Sequence, residues 1–192
     1  MRIFAVVLSV GAAVVLAGCN SGNGPQAPTL SPIPTQQSTT SSAAPPKSQR
    51  NNIVKHIGEE SGIGKPGQAP VVRWTITDLT VDAPCTSPFA KPPEKGHFVV
   101  ATVEAETTPD FEIAALPGGF LPRNNWAIVD ANGITQPQAD SISAQQCRDY
   151  DVPESLVPGS KYSFHLVFDS RTQTGVLTFV PLGRSGGWEW SF

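Results

Sequence analysis

The stretch Lys161-Tyr162-Ser163-Phe164-His165-Leu166-Val167-Phe168-Asp169 alternates more cleanly than any other in the chain. Tyr162, Phe164, Leu166 and Phe168 share one side of an extended backbone. Ser163, His165 and Asp169 share the other, because successive side chains of a strand point to opposite faces. One apolar face and one wet face mark a strand of an antiparallel sheet. Pro158-Gly159 supplies the turn ahead of it.

The same period recurs outward from there. His97 to Thr107 is the longest such run, with Val99, Ala101, Val103 and Ala105 inward and Thr102, Glu104 and Glu106 toward water. In Val71 to Val81, the residues Val72, Trp74 and Ile76 share a face, while Leu79 and Val81 fall out of phase. A bulge near Thr77-Asp78 would return both sets to the core. Trp126 to Asp130 is a further strand, and Ala131-Asn132-Gly133 turns it back toward Ile134, since Asn-Gly tolerates positive φ. Residues 175–182 and 187–192 close the chain, the latter with Trp188, Trp190 and Phe192 on one face. Residues 52–63 read as a short strand or irregular lead-in broken at Gly58. Asp110 to Leu116 is the sole helix candidate. About seven short strands separated by turn signals, with no long helix, predict an all-β antiparallel β-sandwich.

The N-terminus belongs to a different regime. Arg2 is the only charge in the first 46 residues, and Ile3 to Leu16 is apolar but for Ser9 and Gly11. A cationic start, a short apolar middle and small residues at the end describe a secretory signal peptide over 1–18. The run is shorter than the roughly 20 apolar residues of a spanning helix. Leu16-Ala17-Gly18-Cys19 resembles the lipobox of bacterial lipoproteins. The resemblance implies diacylglycerol on the Cys19 thiol, cleavage just before it, and acylation of the new amine. Two or three acyl chains hold a protein where one is marginal. Residues 19–50 then form a tether: Asn20 to Arg50 holds six Pro, ten Ser or Thr and four Gln, with only Lys47 and Arg50 charged. Such a composition cannot bury enough apolar surface to offset chain entropy. The folded domain is expected over 51–192.

Of the 13 basic residues only Arg2 lies in the leader, which has no acidic residue, so maturation takes the formal charge from −3 to −4. A mildly acidic chain without a basic cluster makes a poor nucleic-acid binder, and none is expected as a partner. With Cys19 assigned to lipid, Cys85 and Cys147 remain. Export implies an oxidising compartment, which favours a bridge over two separate thiols. Closing 62 residues would contribute about 4 kcal/mol at best. Both cysteines sit in turn-rich sequence and are expected in loops.

Ile53-Val-Lys-His-Ile-Gly-Glu, Val71-Val-Arg-Trp-Thr-Ile, Gly96-His-Phe-Val-Val-Ala-Thr-Val-Glu, Pro158-Gly-Ser-Lys-Tyr and Gly187-Trp-Glu-Trp together resemble a family of actinobacterial secreted lipoproteins. These carry an immunoglobulin-like, telokin-like domain of unknown function, similar in fold to the mycobacterial immunoprotective extracellular antigen. The resemblance spans residues 52–192. It implies an immunoglobulin-like sandwich and a cysteine pair placed like Cys85 and Cys147. It carries no catalytic residue across.

Little else points to chemistry. His56, His97 and His165 are the only histidines, and their spacing gathers none of them; each reads as a surface or structural His. There is no Gly-x-Ser-x-Gly elbow, no Ser-x-x-Lys and no phosphate loop. Asp149, Asp151 and Glu154 cluster as calcium ligands can, but read as a solvated acidic loop, as does the stripe Glu104, Glu106, Asp110 and Glu112. Trp74, Trp126, Trp188 and Trp190 suit either a sugar-stacking platform or, more simply, a sandwich core. No metal, cofactor or catalytic residue is expected. The expectation is a lipid-anchored protein on the extracytoplasmic side of the cell membrane. It would present a non-catalytic binding or adhesion module, with an envelope protein as possible partner. The alternative is a carrier of a small lipid, sugar or metal ligand. A hydrolase would need a Ser or Cys beside His97 or His165.

The anchor is tested directly. Cys19→Ala is expected to leave the protein unprocessed or released into the medium; unchanged membrane fractionation would rule out the lipobox.

Overall fold

The computed structural model describes residues 45–136, 138–149 and 151–192, so the leader, Cys19 and the tether up to Ala44 lie outside the described residues. Nine strands appear: β1 (Ile53–Lys55), β2 (Glu60–Ile63), β3 (Val72–Val81), β4 (His97–Thr107), β5 (Trp126–Val129), β6 (Thr135–Gln136), β7 (Lys161–Ser170), β8 (Val176–Phe179) and β9 (Trp188–Ser191). One sheet runs β1-β9-β8-β5-β6, the other β2-β3-β4-β7. All pairings are antiparallel except β1 with β9. The neighbours β3, β4 and β7 opposite β5, β8 and β9 occupy the places of strands A, B and E opposite C, F and G in an immunoglobulin-like sandwich. All these elements fall within one compact unit, Ser42–Phe192, which holds a complete core.

The expected bulge is present: the register of β3 against β4 shifts between Ile76 and Asp78, and Leu79 and Val81 pack against the core beyond it. The ambiguous lead-in resolves into two strands in different sheets. Gly58, at φ +84°, makes the turn between them, a conformation glycine adopts without steric cost.

Between the sheets lie aromatic rings. Phe179 stands 5.4 Å from Trp74, 5.5 Å from Phe120 and 4.4 Å from Trp126, centroid to centroid. Trp188 meets Trp74 edge-on at 4.7 Å. All four tryptophans are at most 5% exposed, which overturns the sugar-stacking platform. Pleat alternation put them inward, and a sandwich core needs their volume.

Three local expectations are corrected. Asp169, read as outward and wet, is fully buried. Its carboxylate accepts the backbone N–H groups of Glu94 at 2.7 Å and Lys95 at 2.9 Å, and the Ser141 hydroxyl at 2.6 Å. Alternation does place it on the outer face, but the β3–β4 connection covers that part of the face. The same cover explains Phe98, also outward by alternation and 5% exposed: it packs with Ala144, Cys147 and Val167.

The second correction concerns helices. Asp110 to Leu116 yields only a 3-10 turn at Ile113–Ala115, while two short helices form elsewhere, α1 (Pro122–Asn125) and α2 (Ile142–Cys147). The Ser141 side chain accepts the Ala144 N–H and so caps α2. Cys147 is therefore the last residue of a helix rather than a loop residue, and it is bonded to Cys85.

Thirdly, the ordered domain begins before Asn51. Ser48 Oγ, Arg50 Nε and Nη2, and Asn52 Nδ2 all donate to the buried Glu189 carboxylate, at 2.9, 3.0, 2.9 and 3.2 Å. Composition reads Ser48 and Arg50 as tether because their acceptor lies some 140 residues away in sequence.

Asp169→Ala leaves three donors without their acceptor and is expected to cost about 3 kcal/mol in a urea titration. Ser163→Ala, on the same strand face but exposed, should shift stability by less than about 0.5 kcal/mol. Equal effects would refute the burial argument.

Candidate functional site

The histidines are held apart. His97, opening β4, approaches Asp82 with Nδ1 3.0 Å from Oδ2. His165, mid-strand on β7, gives its backbone N–H to Asp151 Oδ1 at 2.9 Å and sets its Nδ1 2.8 Å from Oδ2. His56 lies 3.6 Å from Glu59 on an exposed turn. His97 and His165 are thus each oriented by a carboxylate from a neighbouring segment. The two cysteines of the domain are spent on each other. The His97 and His165 pairs fasten loops to strands: Asp82 follows β3, and Asp151 belongs to the segment between α2 and β7.

The two acidic groups also separate. Asp151 is occupied by His165, and among the described residues no group of three or more His, Cys, Asp or Glu side chains is placed to hold a metal ion. In the longer stripe, Glu106 pairs with Arg73 at 2.8 Å and lies 3.8 Å from Lys161, in one row across β3, β4 and β7. The Arg73 guanidinium, hydrogen-bonded to Glu106, holds that carboxyl below its usual value. Asp110 and Glu112 lie past the end of β4 and belong elsewhere.

They line a cleft of about 750 Å³ at one end of the sandwich. Three connections build it. The β2–β3 loop contributes Pro70 and Val71, and Thr108 to Ala115 forms the opposite wall. The β8–β9 loop adds Arg184. The apolar lining is Ile63, Val71, Ala114 and Ala115. Lys65, Asp110, Glu112 and Arg184 line it with charge, and none of the four forms an ion pair among the described residues. Ile113, Val157 and Leu182, each more than half exposed, sit in connections at this same end. By contrast the space between the sheets is filled by the rings already described, so the cleft at the end takes the place of an inter-sheet pocket.

Sequence reasoning missed the cleft because its walls are three irregular segments without periodicity. The signal available was the Gly64-Lys65-Pro66-Gly67 turn beside the charged run at Asp110, which only the fold brings together. No helix among the described residues is long and apolar enough to cross a membrane. Compared with known proteins, the chain matches no family model, no curated protein and no solved structure. Fold and site therefore define a class, an immunoglobulin-like sandwich with a mixed-charge cleft at one end.

The Asp82–His97 pair gives a pH signature. The hydrogen bond from His97 holds the Asp82 carboxyl below its ordinary value. A carboxylate with a depressed folded-state pKa contributes stability above its unfolded value, lost as pH falls through the folded one. The stability gap between wild type and His97→Ala should thus hold above the ordinary carboxylate range and narrow as pH falls below it. Urea midpoints across that window measure it; a gap that widens in acid would refute the pairing.

Proposed function

We propose that this chain is an envelope lipoprotein. It is exported by residues 1–18, cleaved ahead of Cys19 and held to the extracytoplasmic face of the membrane by lipid on Cys19. Its sandwich serves as a non-catalytic binding module, as the resemblance to the actinobacterial lipoproteins implies. The observation that carries the binding reading is the end cleft. It joins an apolar floor to four charges that form no ion pair among the described residues, on connections fixed by a rigid scaffold, where binding residues concentrate. Exposed Ile113, Val157 and Leu182 at the same end extend the apolar surface available to a partner.

Small-ligand carriage is the second reading, favoured by one observation: about 750 Å³ falls within the range of small-molecule sites. The two readings differ in what the cleft admits, a partner's side chain or a free molecule.

Crosslinking on intact cells, followed by mass spectrometry, separates them. Capture of one envelope protein, lost when the sandwich is deleted but anchor and tether are kept, is expected for a binding module. Capture unaffected by that deletion would count against it. A thermal-shift response to envelope sugars, lipids or metals, with no protein captured, would favour the carrier.

A further inference from the structure

Asn51, Asn52 and Asn125 have their carboxamides engaged. Lys47 Nζ donates to Asn51 Oδ1 at 3.1 Å, and Asn51 Nδ2 donates to the Ser185 carbonyl at 3.2 Å. Asn52 Nδ2 donates to Glu189 at 3.2 Å while its Oδ1 accepts the Gly187 N–H at 2.9 Å. Asn125 Nδ2 donates to the Pro117 and Gly119 carbonyls at 3.1 and 2.9 Å, and its Oδ1 accepts the Leu182 N–H at 3.2 Å. Asn132 differs. It is exposed, and among the described residues only its backbone N–H is hydrogen-bonded, not its carboxamide. Within residues 45–192 it is also the one asparagine followed by glycine.

The turn around it is held from one residue. The Asp130 carbonyl accepts the Gly133 N–H at 3.0 Å, and the Asp130 N–H donates to the Ile134 carbonyl at 3.0 Å. Asp130 Oδ1 accepts the N–H groups of Asn132 at 2.9 Å and Ile134 at 2.8 Å. Gly133 sits at φ +81°, and nothing lies within 4 Å of where a Cβ would stand, so the peptide nitrogen after Asn132 is sterically open. Beyond the turn, β6 pairs with β5 only at Ile128↔Gln136 and Val129↔Thr135. A turn with so little strand behind it opens locally, without disturbing the core.

We propose that Asn132 is a site of spontaneous covalent modification through a succinimide, at a rate set by the bonds to Asp130. The Gly133 nitrogen attacks only once its N–H has left the Asp130 carbonyl and passed its proton to water or hydroxide. A bond then forms from that nitrogen to Asn132 Cγ, the bond from Cγ to the carboxamide nitrogen breaks, and ammonia leaves. Water next adds to the imide. Cleavage at Cγ gives aspartate, and cleavage at the main-chain carbonyl gives iso-aspartate, so the net change is one water in and one ammonia out. Either product sets a second carboxylate beside Asp130. The iso-aspartyl product also inserts one carbon into the backbone between Asp130 and Ile134, so the original turn cannot re-form.

The full chain, held at mildly alkaline pH and body temperature and digested at intervals, gives the test. The peptide that contains Asn132 should gain about 1 Da, after an intermediate about 17 Da lighter than the starting peptide. Electron-transfer fragments should place iso-aspartate at position 132, apart from the chain's other Asn-Gly pair at Asn23-Gly24. The folded turn should slow the reaction about tenfold against a synthetic peptide of residues 126–138, so Asn132 is about half converted when that peptide has passed ten half-lives. Asp130→Ala removes the acceptor of the Asn132 and Ile134 N–H groups but keeps the backbone bond to Gly133, and it should raise the rate in the full chain at least about fivefold. Asn132→Gln keeps Gly133 and should stay unmodified over the same period. An unconverted Asn132 after ten peptide half-lives, or equal mass gain in Asn132→Gln, would overturn the site. A wild-type rate equal to that of the peptide, or unchanged in Asp130→Ala, would overturn the role of Asp130.

Discussion

The packing of Phe179 against Trp74, Phe120 and Trp126 is the contact on which the sandwich depends. It joins β8 of one sheet to β3 of the other, with Trp126 on β5 and Phe120 on the connection between the sheets. Immunoglobulin domains commonly bridge their sheets with a disulfide packed on a tryptophan. Here the tryptophan on β5 is present, but the disulfide is elsewhere, and aromatic volume fills the gap. Trp126 donates its indole N–H to the Phe120 carbonyl at 3.1 Å, which fixes the ring that Phe179 packs on. Close approach elsewhere serves the same cluster: a Cβ on Gly187 would collide with the Phe179 carbonyl, so β8 and β9 could not keep their turn with a larger residue there.

With the sheets joined by rings, the disulfide is free to do another job. Cys85–Cys147 ties the β3–β4 connection to α2, and Asp169 ties the other end of that connection to the cap of the same helix. Lys95 Nζ adds bonds to the Gln138 and Asp140 carbonyls. The result is a small second layer on the outside of the β2-β3-β4-β7 sheet, with Phe98 as its floor. A buried carboxylate is tolerable only when several donors face it, and Asp169 meets that condition by collecting them from two separate segments.

Strand periodicity made the sandwich legible before any coordinates. The clean alternation of β7, the phase break in β3 and the Asn132-Gly133 turn each report a backbone geometry directly. The features that stayed hidden are those in which a residue's partner is remote. Asp169 alternates like a surface residue, and nothing near it in sequence announces Ser141 or Glu94. Ser48 and Arg50 look like tether until Glu189 is known to face them. α2, at six residues, is too short for its period to register, although Ser141 is a proper cap. The cleft belongs to the same class, because its walls come from loops far apart in the chain.

Where those remote partners fall decides which surfaces remain available. The outer face of the β2-β3-β4-β7 sheet is closed at one end by the row Arg73, Glu106 and Lys161, whose charges answer one another, and at the other by the disulfide-bonded layer. On the other sheet, the outer face is crossed by Ser48, Arg50 and Asn52 converging on Glu189. Charges already paired at a surface gain little from a partner, since binding must first desolvate them. Lys65, Asp110, Glu112 and Arg184 at the cleft make no ion pair among the described residues, and the most exposed ring stands at the opposite end. Toward the start of the described residues, Pro46 accepts the Val54 N–H and Lys47 pairs antiparallel with Ile53. Residues 46 and 47 therefore run back along β1, while the turn at residues 48–52 lies beside the β8–β9 loop, where Asn51 Nδ2 donates to the Ser185 carbonyl at 3.2 Å.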